Sequence, residues 1–197
     1  MQFGVGGTVM HQGLASQAAR PSALHPAGIS HPVHFADRVL QARIEFASSA
    51  ILPRRVAAKQ TESTKRGLRF EARVTAALHS AFPARFVSQL PFSFQTNSKR
   101  GRAIPDGILL SQRERAACII EIKARHTSDA WWQLERFYAP IIREALPGFR
   151  ICLLEICGVY DPAVKLPKAA ALLERPEDVF ETRECFHPVY VTRKGLA

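Results

Sequence analysis

The chain lacks any apolar run approaching the ~20 residues of a bilayer-spanning helix, although 47% of its 197 residues are hydrophobic. Its first residues have neither a basic n-region nor a continuous apolar stretch, so no secretory signal is read and a cytoplasmic protein is expected. Cysteine is scarce: Cys118, Cys152, Cys157 and Cys185 form no Cys-x-x-Cys pair. That spacing disfavours a zinc or iron–sulfur site, and thiols in apolar strand-like runs behave as small hydrophobes. No internal repeat is visible. Acid is missing altogether from residues 1–36, where Arg20 is the one fixed base among repeated Gly, Pro, His and Ala. Such a segment reads as a loosely ordered arm.

Acid stays rare further on. Between Ala50 and Ala103 eleven Lys and Arg face only Glu62 and Glu71, in a chain of formal net charge +10. A concentration of this kind is either a phosphate-binding footprint or a solvated face. Residues 1–50 are expected as an arm, with a helix from Phe35 to about Ala50 on the spacing of Phe35, Val39, Ile44 and Phe46. Residues 51–197 are the main domain, with a core at 61–158 and a C-terminal extension at 159–197.

Within that domain, Thr61–Thr64 offers N-cap residues for a helix running to about Phe82. Gly67, Glu71, Val74 and Leu78 fall on one stripe of it. Phe86–Phe94 reads as a strand, with Pro91 favouring an edge or bulge, and Asn97–Gly101 as a basic turn. Two apolar arms follow, Ala103–Leu110 and Ala117–Ala124, joined by a polar turn. A turn centred between Arg113 and Glu114 sets Asp106 opposite Glu121. Period-two alternation then groups Glu121 with Lys123 on one face and Ile120 with Ile122 on the other. After Ser128, an expected N-cap, a helix places Trp131, Leu134, Tyr138, Ile141 and Ala145 on one stripe, with a kink at Pro140. Phe149–Cys157 is a buried strand, joined by a crossover long enough to make it parallel to its predecessor. A short helix near Lys168–Leu173 and a final strand over Phe186–Thr192 complete the reading. A mixed central sheet flanked by helices is the expected architecture.

Two carboxylates and an ammonium on one patch of an apolar sheet suit a divalent cation and an activated water. Glu-x-Lys alone is common by chance, so its context decides. Pro105-Asp106 on one arm, Glu121-Ile122-Lys123 on the next, and Gly67-x-x-x-Glu71 on the preceding helix together resemble the PD-(D/E)xK nuclease superfamily. Gln133 is similar to the glutamine that follows the core in that superfamily's exonuclease and repair branch. The resemblance spans about Thr61–Gly158 and implies an α/β restriction-endonuclease-like core of order αβββαβ. It further implies Mg²⁺, with Mn²⁺ substituting, held by Asp106, Glu121 and the Ile122 carbonyl and assisted by Glu71. Lys123 would position the attacking water and stabilise phosphate charge, and Gln133 would orient Lys123 or the phosphate. Arg66, Arg69, Lys99, Arg100 and Arg102 are candidates for backbone contacts to DNA.

The implied activity is Mg²⁺-dependent hydrolysis of DNA phosphodiester bonds, with RNA and homodimer formation left open. Two other classes stand beside it. One is a catalytically weak or inactive nucleic-acid-binding or assembly subunit of the same fold. The other is an unrelated α/β protein in which Glu121 and Lys123 are simply the polar face of a strand.

Overall fold

The computed structural model describes residues 39–45, 61–166, 170–182 and 187–192. Its centre is a mixed six-stranded sheet built from β2 (Phe86–Ser88), β5 (Gly107–Ser111), β6 (Ala116–Lys123), β7 (Arg150–Cys157), β8 (Ala170–Leu173) and β9 (His187–Val191), in the order β2-β5-β6-β7-β9-β8. β2, β5 and β6 pair antiparallel, and β6, β7, β9 and β8 run parallel. A second, antiparallel sheet joins β1 (Val39–Ile44), β3 (Phe92–Thr96) and β4 (Arg100–Ala103) in the order β1-β3-β4.

Helices cover the central sheet on both faces. On one side, Phe70, Val74 and Leu78 of α1 (Glu62–Ala81) pack with Cys118, Ile120, Ile122, Leu154 and Ile156. Thr61 caps this helix, its hydroxyl accepting from the Thr64 amide at 3.2 Å. On the other side, Ala117, Ile119 and Ile108 meet Trp131, Leu134, Ile141 and Ile142, together with Phe92 and Phe94 of the small sheet. The four helical residues among them come from one continuous rod: α2 (Ser128–Trp132), a π-helical turn at Gln133–Tyr138, and α3 (Ala139–Ala145). Pro140, where the sequence leads one to expect a kink, stands at the start of α3 directly after the π-helical turn, an irregularity that accommodates a residue without a backbone N–H.

The hairpin register is the expected one, with Ser111 paired to Ala116 and Gly107 to Ile120. Other expectations are corrected. Val39–Ile44 forms a strand, not part of a helix, with a register shift between Val39 and Gln41; the remainder of the expected helix, and the arm at 1–36, lie outside the described residues. Phe86–Phe94 is two strands in different sheets, broken where Gln89 takes a left-handed φ of 51° before Pro91. The basic turn tightens to Asn97–Lys99, because Arg100–Ala103 pairs with β3, and the first hairpin arm begins at Gly107. Thr127, not Ser128, is the N-cap of α2. Ala170–Leu173 is a strand rather than a helix, while Lys168 lies outside the described residues. Among the described residues no helix is long and apolar enough to cross a membrane.

Candidate functional site

Asp106 ends the link from β4 and immediately precedes β5, so the hairpin register carries it opposite Glu121. Its Oδ2 accepts from the Ile122 amide at 2.6 Å. Glu121 lies on the face opposite Ile120 and Ile122 and is 3% exposed. Its Oε1 accepts from the Lys123 ammonium at 2.5 Å, while its Oε2 is buried with no hydrogen-bond partner. An orphaned carboxylate oxygen in an apolar layer is costly unless a cation meets it.

The electrostatics bind four residues into one group. Burial lifts the Glu121 carboxyl to about 7, and the Asp106 carboxylate adds to that push against the Lys123 ammonium. Burial also raises Asp106, with the Ile122 amide and Lys123 opposing. Lys123 loses to burial but gains more from Glu121 and Asp106, so it stays an ammonium above its ordinary range. Glu71, half-buried on the rim of α1, is raised by burial and by Asp106, and a hydrogen bond from the Gln89 side chain opposes the shift. Glu71, Asp106, Glu121 and Lys123 are thus brought together. Gln133 lies on the π-turn with its Oε1 buried and unpartnered, and the Lys123 bond goes to Glu121 instead. Among the basic candidates, Arg66 and Arg69 are exposed on α1; Arg100 and Arg102 are exposed on β4, next to half-buried Lys99.

Four side chains near the site carried no role in the sequence reading. Gln89 bonds Glu71 through its side chain, and its amide donates to the Asp106 carbonyl at 3.2 Å. The Tyr138 hydroxyl donates to the Ile104 carbonyl at 3.1 Å, and burial together with the two acids raises it so that it remains a donor. Glu155 is the parallel neighbour of Glu121 in β7, fully buried, accepting from the Thr127 amide at 3.1 Å and pairing with His126 Nδ1 at 2.9 Å. The signal for Glu155 was available as a lone acid inside an apolar strand, a placement that demands a partner.

Chemically the patch offers two acids and an amine at the end of a sheet. Among the described residues no group of three or more His, Cys, Asp or Glu side chains is arranged to hold a metal ion. Magnesium seldom asks for one: it uses one or two carboxylates and keeps waters or substrate phosphates as its other ligands. Asp106 and the buried, unpartnered Oε2 of Glu121 are the carboxylate groups that such an ion would take.

No protein-family model matches the chain, and no curated protein matches it. Among solved structures, the crystal structure of protein VC1899 from Vibrio cholerae is similar over 66% of this chain at 15% identity, with a TM-score of 0.38. The chain spans 32% of that protein's length, and a likeness at this level carries no functional argument.

Proposed function

We propose that the chain is a divalent-cation-dependent nuclease that hydrolyses DNA phosphodiester bonds. The observation that carries this reading is the buried, unpartnered Oε2 of Glu121 beside Asp106, with the Lys123 ammonium at the same point. The finer fold assignment draws support from the order of elements: α1, then β2, β5 and β6 antiparallel, then the helical rod, then β7 parallel to β6. This order agrees with the αβββαβ order of a restriction-endonuclease-like core, with β3 and β4 of the small sheet inserted between its first two strands and β1 preceding α1.

Asp106, Glu121 and the Ile122 carbonyl would hold Mg²⁺ or Mn²⁺. When bound, the cation supplies positive charge that acidifies a water and neutralises a phosphoryl oxygen. The chain's own groups do the rest. Lys123, kept charged by two acids, donates to the phosphate as negative charge builds there. Glu71, raised by burial and oriented by Gln89, holds an ordered water at the rim. Tyr138 fixes the Ile104 carbonyl and thereby the approach of Asp106 to the sheet. A binding or assembly subunit without catalysis is the second reading, favoured by the Lys123–Glu121 ion pair that already occupies half of the carboxylate.

The deciding experiment incubates the protein with linear, nicked, branched and single-stranded DNA in Mg²⁺, Mn²⁺ or EDTA. Cleavage is expected with either cation, absent in EDTA, and reduced at least about 100-fold in Asp106→Ala and in Lys123→Ala. Cleavage that persists in both variants, or none in the parent protein, sinks the reading.

A further inference from the structure

We infer that the outward face of the β1-β3-β4 sheet is a docking surface for the phosphodiester backbone of duplex DNA. Pairing sets Arg43 opposite Ser93 and Ser93 opposite Arg102; in the next outward row Gln41 faces Gln95, which faces Arg100. Alternation turns Ala42, Phe92, Phe94 and Ala103 the other way, into the apolar cluster shared with α3. The six polar side chains line one open groove of about 490 Å³. Arg100 and Arg102 stand about 7 Å apart along their strand, and Arg43 about 10 Å from Arg102 across two strand spacings. Guanidinium forks match phosphate oxygens, and the Gln and Ser groups add neutral hydrogen bonds to phosphate and sugar.

A merely solvated sheet face would intersperse both signs of charge. Among the described residues lining this groove, Glu45 is the one carboxylate, paired to Arg102 at 2.7 Å. Phe94 is the one aromatic residue of the lining, and its ring is buried against Gly101 and Phe137, so the groove offers no exposed aromatic platform. Unpaired strands are held largely by base stacking, so this surface suits a duplex contacted through its backbone. Its position is also apt. Arg102 precedes Asp106 by four residues, a reach of at most about 14 Å, and the link between them is pinned by Tyr138. The choice of DNA rests on the nuclease reading; the choice of a duplex backbone rests on the face itself.

The test titrates a short labelled DNA duplex with the full chain in EDTA at several salt concentrations, by fluorescence anisotropy. It adds the double variant Arg43→Gln/Arg100→Gln and the single variant Glu45→Gln, with thermal melts to confirm folding. The double variant is expected to bind at least about tenfold more weakly and to lower the salt slope by about 2. Glu45→Gln frees the Arg102 guanidinium and is expected to tighten binding by about threefold, a gain that misfolding cannot mimic. No duplex binding, binding indifferent to these substitutions, or tighter binding of single strands or of an RNA duplex overturns the inference. Cleavage in Mg²⁺ with indifferent binding overturns this surface alone. Binding that follows these side chains without any cleavage overturns the nuclease reading alone.

Discussion

A carboxyl group lifted to about 7, as that of Glu121 is, remains protonated in the fold at pH values where the unfolded chain has already ionised. Between roughly pH 4.5 and 7 the native state therefore binds more protons than the unfolded one, and metal-free stability falls as pH rises through that window. The shift corresponds to at most about 3 kcal/mol, reached once pH passes 7. Asp106 and Glu71 are raised too, which adds slope of the same sign. Urea unfolding in EDTA is expected to show this decline, and Glu121→Gln to flatten most of it. Above pH 7, Mg²⁺ is expected to raise the melting temperature of the parent protein but not of Glu121→Gln. A parent protein that gains stability from pH 5 to 7 in EDTA would contradict the burial argument. At this scale the acids were legible because a symmetric turn dictates which residues face each other. Gln89 was not, since its part depends on a left-handed backbone at a sheet-to-sheet crossing that no local pattern announces.

At the scale of elements, each misread segment is a strand whose alternation is masked, since a strand need show apolar residues only on the side it buries. β4 looked like a basic turn because its outward residues are Arg100 and Arg102, while its inward ones, Gly101 and Ala103, are small. Gly101 must be small, as a Cβ there would come within 2.9 Å of the Phe94 ring. β1 hides its alternation behind the register shift at Leu40, after which Ala42 and Ile44 resume facing Phe94 and Phe92. Ala170–Leu173 is too short for either period to declare itself. The same close packing yields a test at Gly107, where a Cβ would lie 2.3 Å from Phe86 Cε2, a ring carbon that is itself buried. Gly107→Ala is expected to cost about 2 kcal/mol of stability and, by shifting the residue after Asp106, to reduce cleavage as well. Phe86→Leu makes room, so the double variant should lose about 1 kcal/mol less than the two single losses added. Additive losses in chemical denaturation would show that the ring and the glycine do not compete for one space.

For the molecule as a whole, the central sheet is a shared wall. β6 presents Cys118, Ile120 and Ile122 to the α1 layer, and Ala117 and Ile119 to the layer of α2, α3 and the small sheet. This two-sided burial is why β6 could be found as one continuous apolar run, and also why the run alone could not say which layer each residue serves. The site lies where that wall ends, with Glu71 reaching it from one layer and Tyr138 from the other. Its geometry therefore depends on both layers being formed together. Ile119 and Ile120 are each fully buried, on opposite faces. Ile119→Ala and Ile120→Ala are each expected to cost 2–5 kcal/mol or about that. Trp131, buried in the α2 layer, and Trp132 beside it on the same helix are the two tryptophans of the chain and report on that side of the sheet, whereas far-ultraviolet circular dichroism reports both. If the wall couples the layers, Ile120→Ala moves the tryptophan transition as far as the dichroism transition, though the removed atoms lie on the other side of the sheet. A tryptophan midpoint left in place while the dichroism midpoint falls would mean that the layers melt independently, and that the four site residues are assembled by neighbours that do not act as one.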